Sequence, residues 1–195
     1  MSERKARSTA TVEDQESAIL AAAATEFAAV GARRANMDEV AAAAGVSRST
    51  LYRRFPNKDS LLLAVAADAY EKGMVRLEES VVGLGPREAV VEAFATGAEM
   101  VSTDPLLSRM VLEDYEVRNV TSSVNTLFIE MVTDRVADTL RTAGATMPED
   151  RLHQAVELHV RLVMSYLENP ASEPERHSPE YVRDMAATFL APMIY

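Results

Sequence analysis

The sequence predicts an all-α chain of about nine helices in two domains, and three observations carry that expectation. Seven Gly, eight Pro and 6% aromatic residues stand against long runs of Ala, Leu, Glu, Arg and Val, a composition suited to helices and unsuited to many short strands. Apolar residues recur at steps of three and four, the period of a helix face. Gly and Pro gather at a few places, and Ser or Asn stands where a new helix would be capped. The 195 residues, 48% hydrophobic and 26% charged, suffice for one ordinary domain or two small ones with a real core. Cysteine is absent, which removes disulfides, thiolate zinc sites and cysteine nucleophiles, and makes a reducing compartment, the cytoplasm, the expected location. The basic start, MSERKARSTATVEDQE, leads into no apolar run long enough to export or span, so no membrane role is expected.

The elements follow in order. Ile19, Leu20, Ala23, Ala24, Phe27 and Val30 share one face of a first helix over about 14–30, stopped by Gly31. Asn36 caps a helix opening at Met37, with Asp38 and Glu39 in its first turn, that must end at Gly45 after about two turns. Ser47 caps a second short helix, Arg48 to Phe55, terminated by Pro56; Asn57 caps a long one from Lys58 to about Ser80. Breaks then fall at 81–87, 102–105, loosely 118–123, 142–148 and 168–179, which leaves about five more helices. The domains expected are 1–60, with a basic arm over 1–12, and 61–195.

A formal charge of -10 argues against a nucleic-acid partner unless the charge is segregated, and it is. Residues 1–60 carry nine Lys/Arg against eight Asp/Glu, whereas 61–195 carry eleven against twenty-two. Within 30–60 six bases face only Asp38, Glu39 and Asp59, a basic patch on an acidic protein. The patch contains MDEVAAAAGVSRSTLYRRF, which has the spacing of a helix-turn-helix. Ala41 is small enough for two helices to cross there, Gly45 suits a positive φ at the helix end, and Val40, Ala44, Val46 and Leu51 form the wedge between them. Leu51 and Phe55 turn one side of the second helix inward. Arg48, Ser49, Tyr52 and Arg53 are thereby forced outward, with Thr50 and Arg54 at the margins, on a helix narrow enough for a major groove about 12 Å wide. Arg48 or Arg53 can donate two bonds to guanine, Ser47, Ser49 and Thr50 allow close approach, and Tyr52 and Lys58 suit phosphates. Arg4, Lys5 and Arg7 would add backbone or minor-groove contacts.

Phe27, Gly31, the run MDEVAAAAGVSRSTLYRRFPNK and Leu61 resemble the amino-terminal domain of the TetR family of transcriptional repressors over residues 14–66. Asn36 stands where that family commonly has threonine, and Ser49 where it often has glycine or another small residue, so the base preference is left open. The resemblance implies an all-helical homodimer, no enzyme and no cofactor, bound to a palindromic double-stranded operator and released by a small-molecule inducer in the second domain. It also implies an interface between copies through the last two helices. On those helices Leu152, Val156, His159, Val163, Met185 and Phe189 are the candidates for dimerisation, with Leu162, Tyr166 and Tyr181 beside them; ordinary core is the competing role.

Phe94, Met100, Met110, Phe128, Met131 and Met164 are candidates for lining a ligand pocket, since flexible Met suits adaptable cavities. Arg161 is expected to be solvated, to pair with Glu113, Asp114 or Glu130, or to meet an anionic ligand. His153 and Glu157 share a helix face but His159 does not, and the pattern is not HExxH, so no metal site is expected. No Gly-rich phosphate loop, GxSxG elbow or nucleotide fingerprint is present. A largely apolar inducer is therefore expected, the alternatives being a DNA-binding regulator, activating or constitutive, without an inducer, or an apolar-ligand carrier.

Overall fold

The computed structural model describes the backbone of residues 11–109, 115–168, 173 and 178–195, and the side chains of these except at 115–128 and 166–168. Every regular element among them is helical. The chain divides into two compact units, Met1–Ala66 and Ala67–Tyr195. The division falls inside a helix, since Leu61, Leu62 and Val65 are buried and belong with the first unit. The arm over 1–10, Met110, Glu113, Asp114 and His177, and the side chains of Phe128 and Tyr166, lie outside the described residues.

In the first unit, α1 (Val12–Val30) starts two residues before the expected point because Thr11 and Asp14 form a capping box: Asp14 N–H donates to Thr11 Oγ1 at 3.1 Å and Thr11 N–H to the Asp14 carboxylate at 2.8 Å. Those bonds hold the Asp14 carboxyl below its usual pKa. Ile19, Ala23 and Phe27 face inward. Helix α2 (Met37–Ala43) is capped by Asn36, whose Oδ1 accepts from Asp38 N–H at 2.9 Å. It ends with Gly45 at φ +67, Gly45 N–H donating to Ala42 and Val46 N–H to Ala41, at 3.1 and 3.0 Å. That crossed pair of bonds satisfies two last-turn carbonyls and throws the chain sharply into α3 (Arg48–Arg54). Ser47 Oγ caps α3 by accepting from Thr50 N–H at 3.1 Å, and Asn57 Oδ1 caps α4 (Lys58–Ser80) through Ser60 N–H at 2.8 Å.

The second unit holds the rest of α4 with α5 (Pro86–Thr103), α6 (Pro105–Ser108), α7 (Tyr115–Thr142), α8 (Glu149–Glu168) and α9 (Pro179–Met185). Its core joins Val90 and Phe94 of α5, Ala137 and Leu140 of α7, Leu152 and Val156 of α8, and Val182, Ala186, Leu190 and Ile194. Two expectations are corrected. The loose break at 118–123 is absent, because α7 runs unbroken from Tyr115. The helix expected after the break at 168–179 also does not run on as α-helix to the last residues; it passes into a π turn, Ala186–Leu190, and a 3-10 turn, Ala191–Met193. Pro192 is the cause, since it has no N–H for the Thr188 carbonyl and its ring would clash with it.

Arginines tie this unit together. Arg135 of α7 reaches both Glu78 and Glu71 of α4, the latter at 2.7 Å; Arg76 of α4 meets Glu99 of α5 at 3.2 Å; Arg183 of α9 grips Glu92 of α5 at 3.0 Å. The guanidiniums hold the Glu71 and Glu92 carboxyls below their ordinary range. Arg141 binds the carbonyls of Ala145 and Met147 and the Glu149 carboxylate, fastening the α7–α8 turn. Among the described residues no helix is long and apolar enough to cross a membrane.

No atom lies within 4 Å of a Cβ built on Gly45, so a substitution there meets backbone strain and not a clash. Gly45→Val is therefore expected to cost about 1–2 kcal/mol or more, and Gly45→Asn distinctly less, because Asn tolerates positive φ. Urea unfolding of the two variants checks the order; equal loss would mean that φ at Gly45 is not the constraint.

Candidate nucleic-acid interface

Helix α3 owes its outward face to what its other side buries. Leu51 is wholly buried and Phe55 nearly so, and α2 packs against α3. Ser47, Arg48, Ser49, Tyr52 and Arg53 are consequently exposed together, with Thr50 half-buried behind them. The hydroxyls are knitted, Ser47 Oγ standing 2.9 Å from Ser49 Oγ and 2.8 Å from Thr50 Oγ1, so Ser47 works mainly as the cap that shapes the helix. Arg48 is 71% exposed in its side chain and lies 2.6 Å from the Asp38 carboxylate of α2. An exposed pair of this kind contributes roughly 0–1 kcal/mol, so it aims the guanidinium without preventing exchange for a nucleic-acid acceptor. Arg53 projects freely enough for bidentate donation to a base edge.

Two candidates are placed differently from the sequence expectation. Arg54 turns away from the outward face: only 14% of its side chain is exposed, Nη1 donates to Glu16 at 2.8 Å and Nη2 to the Val12 carbonyl at 3.0 Å. It ties the end of α3 to the first turn of α1, and its Nε is buried without a partner among the described residues. Lys58 is half-buried, with Nζ donating to the Arg33 carbonyl at 2.6 Å and the Ala35 carbonyl at 3.4 Å. It fastens the α1–α2 turn, which leaves one of its three donors for a phosphate. Nothing local marked either role, because Glu16 is 38 residues from Arg54 and the acceptors of Lys58 are main-chain atoms. Glu26 is a further support that the sequence did not single out; its Oε1 accepts from Asn36 N–H at 3.1 Å, holding the entry to α2.

In the second unit the ligand candidates separate. Phe94 and Met100 are buried, Phe94 in the core and Met100 beside Gly73, where a Cβ would stand 3.0 Å from its methyl. Met164 is half-buried, while Met131 is 53% exposed. Arg161 is exposed, and among the described residues it pairs with Glu157 one turn away at 2.7 Å; of the carboxylates expected, Glu113 and Asp114 lie outside the described residues. The dimer candidates separate too. Leu152 and Val156 are wholly buried in the unit's own core and His159 nearly so, and Val163 and Met185 pack against that core. Phe189 is 68% exposed, and with it on the surface lie Leu162 and Leu158, one turn apart on the other side of α8. His153 lies 3.4 Å from both Asp134 and Glu149, so His153, Glu157 and His159 each have separate surroundings.

The family model described as "Bacterial regulatory proteins, tetR family" matches residues 19–65, and the one described as "Bacterial Tetracyclin repressor, C-terminal domain" matches 86–188. No curated protein matches the sequence. Among solved structures the chain is similar to the TetR family repressor AlkX from Dietzia sp., implicated in biodegradation of n-alkanes (TM-score 0.66, 20% identity, 90% of this chain and 96% of that one). It is similar to RolR in complex with resorcinol (0.65, 18%, 93% and 88%). A third is the fatty acid degradation regulator FadR from Bacillus halodurans (0.58, 14%, 89% and 98%). At these identities the likeness is one of fold.

Because Arg54 is held by α1, Arg54→Ala is expected to lower stability by about 1–2 kcal/mol and to leave base preference unchanged. Urea unfolding and a base-substitution binding series check this together; unchanged stability with altered base preference would return Arg54 to the reading face.

Proposed function

The chain belongs to the tetR family of bacterial regulatory proteins, which are DNA-binding transcription regulators and not enzymes, and we propose that it is a homodimeric repressor released from a palindromic operator by a small, largely apolar molecule. The observation that carries the reading is the outward face of α3, where Arg48, Ser49, Tyr52 and Arg53 stand exposed on a helix capped at its start and buried along its back. That face has the shape and donor set of a major-groove reader, with Arg53 and Arg48 for guanine and Tyr52 for a phosphate. The third donor of Lys58 adds a phosphate contact at the α1–α2 turn.

One seven-residue helix contacts too few base pairs for useful specificity, which favours two copies on a two-fold symmetric site. Leu158, Leu162 and Phe189 supply exposed apolar surface for that pairing, backed from inside by Leu152, Val156 and His159. The second unit takes the inducer in the region of Phe94, Met100 and Met164, with Met110 and Phe128 of the same stretch of sequence. The alkane, resorcinol and fatty-acid contexts of AlkX, RolR and FadR, each belonging to its own protein, are in keeping with a small and largely apolar molecule. Helix α4 begins in the first unit and ends in the second as one uninterrupted helix, a physical route by which the two sites are coupled.

Footprinting should reveal symmetric protection of two half-sites about one helical turn apart, with affinity falling steeply as salt rises despite the charge of -10. A single half-site bound by a monomer would exclude the dimeric reading. Arg53→Ala or Arg48→Ala should lose about 1–3 kcal/mol on the preferred sequence and relax the choice of base, whereas a uniform loss on every sequence would make them phosphate contacts. An inducer must bind less tightly when operator is present, by the same factor by which it weakens operator binding. Identical ligand affinity with and without operator would leave a constitutive regulator.

A further inference from the structure

The inward stripes of α7 and α8 are apolar until each meets one polar residue. On α7 the stripe of Leu140 and Ala137 continues one turn earlier to Thr133, which is 6% exposed. On α8 the stripe of Leu152, Ala155 and Val156 continues one turn later to His159, which is 8% exposed. The two helices are antiparallel neighbours joined by the short turn that Arg141 fastens. Thr133 stands roughly 14 Å before the end of α7 and His159 roughly 15 Å after the start of α8, so the two lie at one level of the hairpin. Thr133 Oγ1 and His159 Nε2 are both buried and have no hydrogen-bond partner among the described residues. A helical threonine ordinarily satisfies itself on the carbonyl one turn back, as Thr139 does on Arg135 at 2.9 Å; Thr133 does not. Two orphaned polar groups at one level of an otherwise apolar seam form a local inconsistency of the kind that marks a binding site.

Resting on the reading that the second unit takes a small molecule, we propose that Thr133 and His159 are the polar anchor of that site and that its ligand is a neutral, mostly apolar molecule carrying a hydroxyl group. The Leu190 carbonyl accepts from the His159 ring, which in the neutral imidazole leaves Nε2 an acceptor, so a ligand hydroxyl can donate to Nε2 while accepting from the threonine hydroxyl. A carboxylate finds no counter-charge at Thr133 and His159 themselves. Among the described cations of this region, Arg135 is taken by Glu71 and Glu78, Arg161 by Glu157, Arg76 by Glu99 and Arg183 by Glu92. Burial also lowers the His159 pKa, with the Leu190 main-chain carbonyl opposing in part, so the imidazole is neutral at pH 7. Phe94 of α5, which packs on both helices, and Met164, further along α8, are the apolar neighbours available to the rest of the molecule.

The test uses the full chain. In the free protein Thr133→Val should raise Tm by about 2–4 °C, since a buried hydroxyl without a partner gives way to a methyl of the same shape. A fall in Tm means that the hydroxyl is satisfied inside the protein or by a buried water, and overturns the anchor. Calorimetric titration with phenol and toluene, which differ by a hydroxyl for a methyl, should give the wild type at least about a tenfold preference for phenol, with benzoate binding no better than phenol. Thr133→Val and His159→Leu should each cut that preference to about threefold or less. Equal binding of the pair, binding of neither, tighter binding of benzoate, or a preference that survives in both variants overturns the proposal. The inducible reading fails separately: if phenol is preferred through these residues yet leaves operator affinity unchanged, the anchor stands and the inducer role falls. If a molecule without a hydroxyl releases operator equally from wild type and both variants, the inducer role stands and the anchor falls.

Discussion

The DNA-facing surface depends on how closely α2 and α3 approach at Ala41 and Gly45. Ala41 is almost wholly buried, and the bond from Val46 N–H to its carbonyl requires the chain to reverse within two residues, which Gly45 permits by taking a positive φ. A helix of seven residues has no stability of its own in water. Packing of Leu51 and Phe55, the Ser47 cap and the tight turn together hold α3, and its exposed residues are those the packing leaves over. The outward face is thus a by-product of the core beneath it, which fixes where each side chain leaves the backbone.

The same economy governs charge. An acidic protein with a basic reader must keep its other cations from competing for phosphate, and in the second unit arginines 76, 135, 141, 161 and 183 are each engaged by a carboxylate, while Arg87 bonds the Ile194 carbonyl and Arg151 the Gln154 side chain. Those that link α4, α5, α7 and α9 also fix helices whose contact surfaces are largely alanine and valine, too smooth to set a register by shape alone. In the first unit Arg54 and Lys58 are likewise turned to structural bonds, which leaves the exposed guanidiniums of α3 at Arg53 and at Arg48, the latter in an exposed pair with Asp38.

What was legible in the sequence was local. Asn36, Gly45, Ser47, Pro56 and Asn57 act within a turn of themselves, so the boundaries of α2, α3 and α4 follow from their types and spacing. The readings that failed depended on distant partners or on competing effects. Asn119, Thr121, Ser122 and Ser123 are weak helix formers without a Gly or Pro among them, yet they sit inside an unbroken α7, since propensity is a weak prior. Pro192 carried a legible stop that the apolar spacing of Val182, Met185 and Phe189 masked. Arg54 looked like a reader because it adjoins Arg53, and only Glu16, on another helix, decides otherwise. The apolar period of α8 marked its inner face correctly and said nothing of what that face meets, which is the unit's own core.

That limit bears on how buried polar groups are weighed. Arg54 Nε, Thr133 Oγ1 and His159 Nε2 are all buried without partners among the described residues, but they are not equivalent. The guanidinium of Arg54 makes two other bonds and its charge faces Glu16, so one idle N–H is the cost of a geometry already satisfied elsewhere. Thr133 has no such compensation in its own side chain, because a hydroxyl offers only one oxygen. His159 is bonded on one side only, to the Leu190 main-chain carbonyl, so its ring is held in place while Nε2 is left over. The neighbouring inward positions of both stripes are alanine, leucine and valine, so an apolar residue would have suited the place of Thr133 as well. The Leu190 bond accounts for an imidazole at His159 but not for the idle Nε2, nor for a hydroxyl at Thr133, and the proposed ligand contact supplies a partner for both.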